Sequence, residues 1–438
     1  MSTMDRRDFL RSGGAAVAGL TLLSAAPSST AQNNTVNAAV IGFNSRGQEH
    51  ISRILGMKDV ALVALCDVDK RVLDKGAAAV EKKTGRRPKT YQDLRRLFED
   101  KEIDCIFTAT PNHWHALAGI WACQSGKDAY VEKPACWGVS EGESFIAATK
   151  KYKRMVQIGH DHTRANGGAR TAVGRAWAGE LGQAYLSRGL CFKPRPSIGI
   201  KPDSPAPDWL DWEVWQGPAK RRPFSERYVH YNWHWCFEYG NGDIGNQGVH
   251  QMDQARWFLN RGLPTTISSA GGRYGYKDDG ETPNTQFATF AYPDGVEIQF
   301  EVRGLPTHDE AKVKIGNLVY GTNGYMSSGD GYALRTDAGV VEKAKDAKLP
   351  PVGGAGGDQF QNFIDCVRSR RAEDLNCPVS EGVLSAQLCA LANIAYRCGR
   401  TLTFDPKKML FPGDDAANAL LARHDSPAAF AVPEPDKV

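Results

Sequence analysis

The sequence predicts an α/β protein: a doubly wound parallel sheet, followed by an α+β domain built on a large, open, mostly antiparallel sheet. Three observations carry this. Short, nearly continuous apolar runs at residues 36–41, 60–66 and 104–110 alternate with amphipathic stretches, as expected of parallel strands buried on both faces. Residues 36–67 form one strand–helix–strand unit of ordinary length. Further on the period changes to two, and Val296, Ile298, Phe300 and Val302 mark a half-buried hairpin strand.

The chain opens with Asp5-Arg6-Arg7-Asp8-Phe9-Leu10-Arg11, a twin arginine ahead of an aromatic and a leucine. A mild apolar run at 15–26 is too short to span a bilayer, and Ser29-Thr30-Ala31 offers small residues for cleavage. The pattern resembles a bacterial twin-arginine signal over residues 1–31. Passage through the export machinery in the folded state to the periplasm is therefore expected, with no membrane anchor left after removal. About 400 residues remain, enough for two domains with sizeable cores. The formal charge of +4 comes without a long basic run, which argues against nucleic acid as a partner. The ten cysteines include no CxxC pair, and Cys66, Cys105 and Cys123 fall in apolar segments. They read as small buried hydrophobes, with one or two late disulfides allowed.

The first domain covers residues 35–160. Its opening strand runs into Gly42-x-Asn44-x-x-Gly47, a dinucleotide-binding fingerprint with Asn in the place of the middle glycine. Such a turn brings backbone N–H groups and a helix N-terminus to a pyrophosphate, and Asn tolerates the left-handed conformation. Gly42, Phe43, Asn44, Ser45, Arg46 and Gly47 are thus candidate cofactor residues, although an ordinary strand-to-helix turn would look similar. Ser45-x-x-Gln48 predicts a capping box, Ile51, Ile54 and Leu55 an inner face, and Gly56 the helix end. Asp67 closes strand 60–66, 20 residues beyond Gly47, where a carboxylate would hold an adenosine ribose diol. Helices at 69–84 and 93–100, strand 104–110, a helix stopped by Gly126, strand 129–131, another helix and strand 155–159 complete the domain. Ligands of doubly wound sheets bind at the carboxyl ends of strands, where Thr110-Pro111-Asn112-His113-Trp114-His115 and Glu132-Lys133-Pro134 fall.

These two runs resemble motifs of the glucose–fructose oxidoreductase/inositol dehydrogenase/MocA (Gfo/Idh/MocA) family, and the similarity extends over residues 36–405. The resemblance implies a Rossmann domain, a Lys133 that reaches substrate beside the nicotinamide, and a cofactor lying over Thr110, Pro111, Asn112, His115 and Glu132. NAD is the expected cofactor, because Asp67 would repel a 2′-phosphate, while Lys70 and Arg71 nearby keep NADP open. Taken alone, Lys133 beside Glu132 would also read as a plain ion pair.

The second domain covers residues 161–405. His160 and His162 follow a strand, where alternate residues share a face, so the imidazoles could converge as a pocket wall or a metal pair; no metal site is assigned. Helix 169–178, strand 184–192 and a Pro- and Trp-rich loop at 193–223 come next. Residues 228–235 are dense in rings, and Tyr228, Trp233 and Trp235 would either face a sugar or pack a core. A glycine-rich turn at 240–245 then enters a helix with Asn246, His250, Asp253 and Trp257 along one face. In the family the histidine of this helix completes the catalytic group with the lysine. Asn246 stands where many members have Asp, which leaves His250 the better candidate base. Strands 288–292 and 296–302 flank Pro293-Asp294-Gly295; strands 312–320 and 332–342, a turn at 321–324 and helices 358–370 and 380–398 follow. The tail at 406–438 is placed to wrap a neighbour, and the resemblance implies a homo-oligomer paired through the open sheet.

Together these features imply a periplasmic oxidoreductase that moves a hydride between a sugar, glycoside or polyol carbinol and a tightly held NAD. His250 would be the base and Lys133 the group polarising the oxygen. Asn246 completes the catalytic set, while His160, His162, Tyr228, Trp233, Trp235 and Asp253 would face the carbohydrate. Some family members are NAD-dependent glycosidases that oxidise, eliminate, add water and re-reduce, so glycoside cleavage is the alternative. A non-catalytic sugar-binding protein is a third reading, disfavoured by the intact Lys133 and His250.

Overall fold

A computed structural model describes residues 35–165, 167–341 and 349–438, apart from the side chains of Asp161 and His162. Residues 1–31, read above as an export signal, lie outside the described residues. The chain begins its fold with β1 (Val36–Ile41), α1 (Arg46–Ile54), β2 (Val60–Cys66), α2 (Lys70–Thr84), β3 (Lys89–Tyr91) and α3 (Leu94–Glu99). It continues with β4 (Cys105–Thr108), α4 (Asn112–Gln124), β5 (Asp128–Val131), α5 (Val139–Tyr152) and β6 (Val156–Ile158). Among the described residues these strands make a six-stranded sheet in the order β3-β2-β1-β4-β5-β6, with every neighbour parallel. The order reverses between β1 and β4, which opens a crevice at their carboxyl ends. β4 and β5 are buried throughout, hence their unbroken apolar runs. β3 has two exposed residues at the sheet edge, and its polar sequence hid it from the periodicity.

The chain goes on through α6 (Gly167–Trp177), β7 (Ala184–Cys191), α7 (Trp212–Gln216), α8 (Gly242–Asn246), α9 (Gly248–Leu259), β8 (Thr266–Gly272), β9 (Thr285–Ala291) and β10 (Glu297–Arg303). Then come β11 (Ile315–Gly321), β12 (Gly324–Ser327), β13 (Leu334–Thr336), β14 (Gly339–Val341), α10 (Gln359–Ser369), α11 (Val379–Cys398), β15 (Leu402–Thr403) and α12 (Asp415–Asn418). Among the described residues the second sheet has nine strands in the order β14-β13-β12-β11-β7-β10-β9-β8-β15. Only β7 and β10 run parallel, and the predicted mostly antiparallel sheet is present. The β9–β10 hairpin pairs Phe290 with Ile298, and Gly295 supplies its left-handed turn residue with φ 81°. Both apolar residues enter the core under α9 and α11. The stretch read as one strand at 332–342 is divided into β13 and β14.

A helix from far down the chain completes the first sheet. One face packs on α3, α4 and α5, the other on α1, α2 and α10. Phe360 and Phe363 of α10 enter beside Phe107 and Tyr130, with the Tyr130 and Phe360 rings stacked 4.7 Å apart. Asp358 caps this helix by accepting from the N–H groups of Phe360 and Gln361. The tail packs on its own chain: Phe411, Leu421 and Phe430 are buried, and Arg423 bridges Glu141 and Glu238 at 3.0 and 2.7 Å. This intrachain clasp uses the apolar side chains that the tail carries. All ten cysteines are free thiols and all but Cys398 are buried, so the late disulfides allowed by the sequence are not formed.

Phe360→Ala should cost about 3–5 kcal/mol in urea-induced unfolding, because it opens a cavity between α10 and the first sheet. A loss below about 0.5 kcal/mol, the range of a surface site, would show that α10 does not complete that core.

Candidate active site

The crevice is built first from two glycines. Gly42 leaves β1 with φ 73°, and its N–H donates to the Cys66 carbonyl at 2.8 Å. A Cβ on Gly42 would lie 3.0 Å from the Thr110 nitrogen, and one on Gly47 would lie 2.2 Å from the Gly42 carbonyl oxygen. The first glycine lets the loops after β1 and β4 approach; the second seats α1 against the turn. Asn44 is not left-handed, so Gly42 alone makes that turn. The predicted capping box is absent: Ser45 makes no side-chain cap, and the Gln48 amide donates instead to the Phe43 carbonyl at 2.7 Å. The helix ends at Leu55 in right-handed geometry, before Gly56.

At the far end of β2, Asp67 accepts from the Phe43 N–H at 2.9 Å and the Asp69 N–H at 3.0 Å. Burial pushes its carboxyl up to about 6, against the pull of those two donors. The two nearby cations are engaged elsewhere. Arg71 pairs with Asp69 at 2.9 Å and lies 3.3 Å over the Trp209 ring, while Lys70 pairs with Asp74 at 2.6 Å. The segment carrying Trp209 crosses this strand end: Lys70 N–H donates to the Trp209 carbonyl at 2.8 Å, and Asp211 N–H donates to Val68 at 3.1 Å. His230 Nε2 stands 3.0 Å from the Asp69 carboxylate.

Between these ends lies a cavity of about 250 Å³. The predicted residues Gly42, Phe43, Asn44, Ser45, Arg46 and Asp67 line it, as do Thr110, Pro111, Asn112, His115, Glu132, Lys133 and Asn246. Gly47 supports the wall from behind. His115 ties two strand-end loops, its ring nitrogens 2.7 Å from the carbonyls of Thr110 and Pro134. Glu132 receives Arg46 Nε at 2.8 Å and stands 3.1 Å from His50 Nε2. Burial alone would raise its carboxyl, but the His50 hydrogen bond and the Arg46 charge hold it well below the usual range. Lys133 Nζ donates to the Asn246 carbonyl at 2.8 Å, joining the β5 loop to the end of α8.

The ring-rich stretch divides. Trp233 lines the cavity, but Tyr228 packs against Trp212 and Tyr239, and Trp235 is buried with the Arg195 guanidinium 5.3 Å from its ring. Tyr228 and Trp235 are therefore core residues. A helical turn at Asn232–Trp235 sets this division, bringing His230, Tyr231 and His234 to the cavity instead. The phenol oxygen of Tyr231 accepts from Arg195 Nη1 at 3.1 Å and from the Asn246 amide at 3.4 Å. Burial pushes His234 down to about 3, and its ring stacks 3.5 Å from Trp233. Arg195 comes from the irregular segment after β7, and nothing local in its sequence signals this contact.

The predicted His160–His162 face does not form as a strand, because Asp161–Ala165 turns into a short π-helical coil. The His162 side chain lies outside the described residues. His160 and Asp253 are wholly buried and do not touch the cavity, contrary to their expected place at the substrate. Asp253 is occupied by Arg164 at 2.9 Å and Ser385 at 2.7 Å. His250 is one helical turn beyond Asn246, only 6% exposed, with its ring against His160, and like His160 it is not among the residues that line the cavity.

Comparison with known proteins then decides the family. Residues 36–160 match the model described as oxidoreductase family, NAD-binding Rossmann fold, and residues 198–429 match the oxidoreductase family C-terminal alpha/beta domain. The chain belongs to the Gfo/Idh/MocA oxidoreductase family. A glycosyl hydrolase family 109 protein of Shewanella baltica (strain OS185) is 34% identical over 164 residues, 32% of this chain and 36% of that protein. An α-N-acetylgalactosaminidase of Shewanella oneidensis is 30% identical over 177 residues, 35% of this chain and 39% of that one. The match thus spans little more than a third of the curated relatives' length. Among solved structures, the WlbA dehydrogenase from Bordetella pertussis, in complex with NADH and UDP-GlcNAcA, aligns with a TM-score of 0.63 at 19% identity. That alignment covers 85% of this chain and 99% of the other. A myo-inositol 2-dehydrogenase from Lactobacillus plantarum aligns at 0.58 and 18%, covering 85% and 100%. At these identities the likeness shows a shared fold.

As a Gfo/Idh/MocA protein, the chain carries its NAD-binding domain at the cavity described above. The two bare glycines, the start of α1 and the Asp67 carboxylate fit a dinucleotide laid along the crevice. With Lys70 and Arg71 both committed to carboxylates, no cation is presented for a 2′-phosphate, which favours NAD over NADP. Ribose hydroxyls are held best by ionised Asp67. NAD affinity in titration calorimetry should therefore weaken as pH falls through about 6, and this dependence should disappear in Asp67→Asn. A pH-independent wild-type affinity would count against Asp67 as the ribose ligand.

Proposed function

We propose that this protein is a NAD-dependent oxidoreductase acting on a carbinol of a sugar, glycoside or polyol. The observation that carries this reading is the Lys133 ammonium, held by the Asn246 carbonyl on the wall of a cavity whose other wall is the dinucleotide loop. Bound in the crevice, NAD supplies a hydride acceptor. Lys133 polarises the substrate oxygen and lowers the cost of removing its proton. His250, an imidazole one turn along the helix from Asn246, takes that proton. Asn246 has no carboxylate to share this duty. Trp233 and the Trp215 ring offer flat apolar faces to a sugar, with His230, Tyr231 and His234 as polar neighbours.

The twin-arginine pattern at residues 5–11 supports export to the periplasm with cofactor already loaded. The outer face of the second sheet supports pairing of two copies, since Phe287 is exposed there and Tyr320 and Tyr325 stack 5.9 Å apart. A second reading is favoured by the relatives named for glycoside hydrolysis. In it bound NAD would take up and later return the hydride, while Lys133 and His250 handle the protons of transient oxidation, aglycone loss and water addition, so that no net redox change occurs.

The purified protein should release NAD on denaturation, identified by mass spectrometry. Adding sugars should then change the reduced-nicotinamide absorbance. Steady aglycone release without a lasting absorbance change would select the second reading, and absence of any nucleotide would defeat both. Lys133→Ala and His250→Ala should each lower kcat by about 10²–10⁴-fold while NAD still binds. Near wild-type turnover in both variants would remove them from the chemistry.

A further inference from the structure

His160 and Asp253 lie beside His250 in a sealed cluster, each with 0% exposure. The His160 and His250 rings meet edge to face, centroids 5.3 Å apart at 84°. His160 Nδ1 stands 3.8 Å from Asp253 Oδ2. Among the described residues, neither ring nitrogen of His160 has a hydrogen-bond partner. A buried imidazole serving only as filler would be better replaced by an apolar ring, since unmet buried nitrogens destabilise the fold. Asp253 is the opposite case. Arg164 donates to it twice at 2.9 Å, and Ser385 donates at 2.7 Å, which fixes the carboxylate and keeps it ionised.

The charged groups around this pair come from every element packed on it. They are Arg164 from the coil after β6, Arg256 on α9, Glu381 on α11, and Glu132 and Lys133 from the β5 loop, with the buried Cys377 thiol beside Arg164 and Asp253. Arg164 and Arg256 are answered by Asp253 and Glu381, while Glu132 pairs with Arg46 and His50. A proton arriving on His250 therefore adds positive charge beside an Asp253 carboxylate that Arg164 and Ser385 already hold in place.

Resting on the reading of His250 as the base, we propose that His160 is a positioning residue that fixes the plane of the His250 ring and couples it to the Asp253 carboxylate. With its proton on Nδ1, 3.8 Å from Asp253 Oδ2, His160 would close that gap as His250 becomes cationic. The proton taken from the substrate hydroxyl stays on His250; His160 keeps its own proton, and Asp253 remains ionised.

The test is His160→Phe, which keeps an edge-on ring and removes both nitrogens, with His160→Gln as a second variant should the first unfold. Two readouts are taken on the NAD-loaded full chain. One is the titration of the His250 ring by NMR of carbon-13-labelled histidine, which needs no turnover. The other is the acid limb of kcat/KM with a sugar substrate. Losing the link to Asp253 disfavours the imidazolium, so His250 should titrate about one pH unit lower, with the acid limb following. The kcat value should fall about tenfold or more with KM nearly unchanged. An unmoved His250 titration in a folded variant overturns the proposal. A moved titration in a protein that turns over no sugar would sustain the coupling and remove only the role of His250 as base.

Discussion

The Lys133 ammonium donating to the Asn246 carbonyl is the joint on which the site depends. It ties the loop after β5, in the parallel sheet, to the end of α8, which leads straight into α9. A main-chain carbonyl fixes an ammonium in place without cancelling its charge, as a carboxylate would. The contact therefore helps hold Lys133 at the cavity wall. It also sets where His250 lies, because Val249, Met252 and Ala255 anchor the same helix in the second core. Positioning and chemistry come from one bond between two differently folded halves.

Two buried carboxylates show how the crevice sorts charge. Asp67 and Glu132 both suffer desolvation, yet they move in opposite directions. Asp67 receives two main-chain N–H donors, and burial outweighs them and the nearby His230, so its carboxyl rises. Glu132 receives the Arg46 guanidinium and faces His50, and those partners overcome burial. The result is a permanently ionised anchor that holds Arg46 at the cavity wall, and a ribose-side carboxyl whose charge depends on pH. Neither behaviour follows from residue type.

The parts of this arrangement legible in the sequence are those with short-range causes. Buried parallel strands announce themselves as apolar runs, and Gly42 and Gly47 are demanded by close backbone approach. The capping box failed because Gln48 found a nearer acceptor in the Phe43 carbonyl, a competition that spacing cannot reveal. The face assigned to Asn246, His250 and Asp253 has a different difficulty. Every residue of α9 is buried, so helical period no longer separates a core face from a site face. Asp253 consequently belongs to Arg164 and Ser385. Tyr231 and Arg195 escaped notice because their contact joins two irregular segments, where neither period nor cap constrains direction.

The crossing of β2 by the Trp209 segment bears on how the cofactor is used. It is held by two main-chain hydrogen bonds, by the Arg71–Trp209 stack and by the pairing of His230 with Asp69, all at the ribose end of the crevice. Exchange of a dinucleotide held at Asp67 would be slowed wherever those contacts had to open first. A dehydrogenase that trades NADH for NAD in every cycle must make that step each time. A reaction that returns its hydride to the same sugar never needs it. A strap of that kind would cost the redox-neutral reading nothing in rate, and it would slow a simple dehydrogenase unless the electrons leave through a second bound substrate.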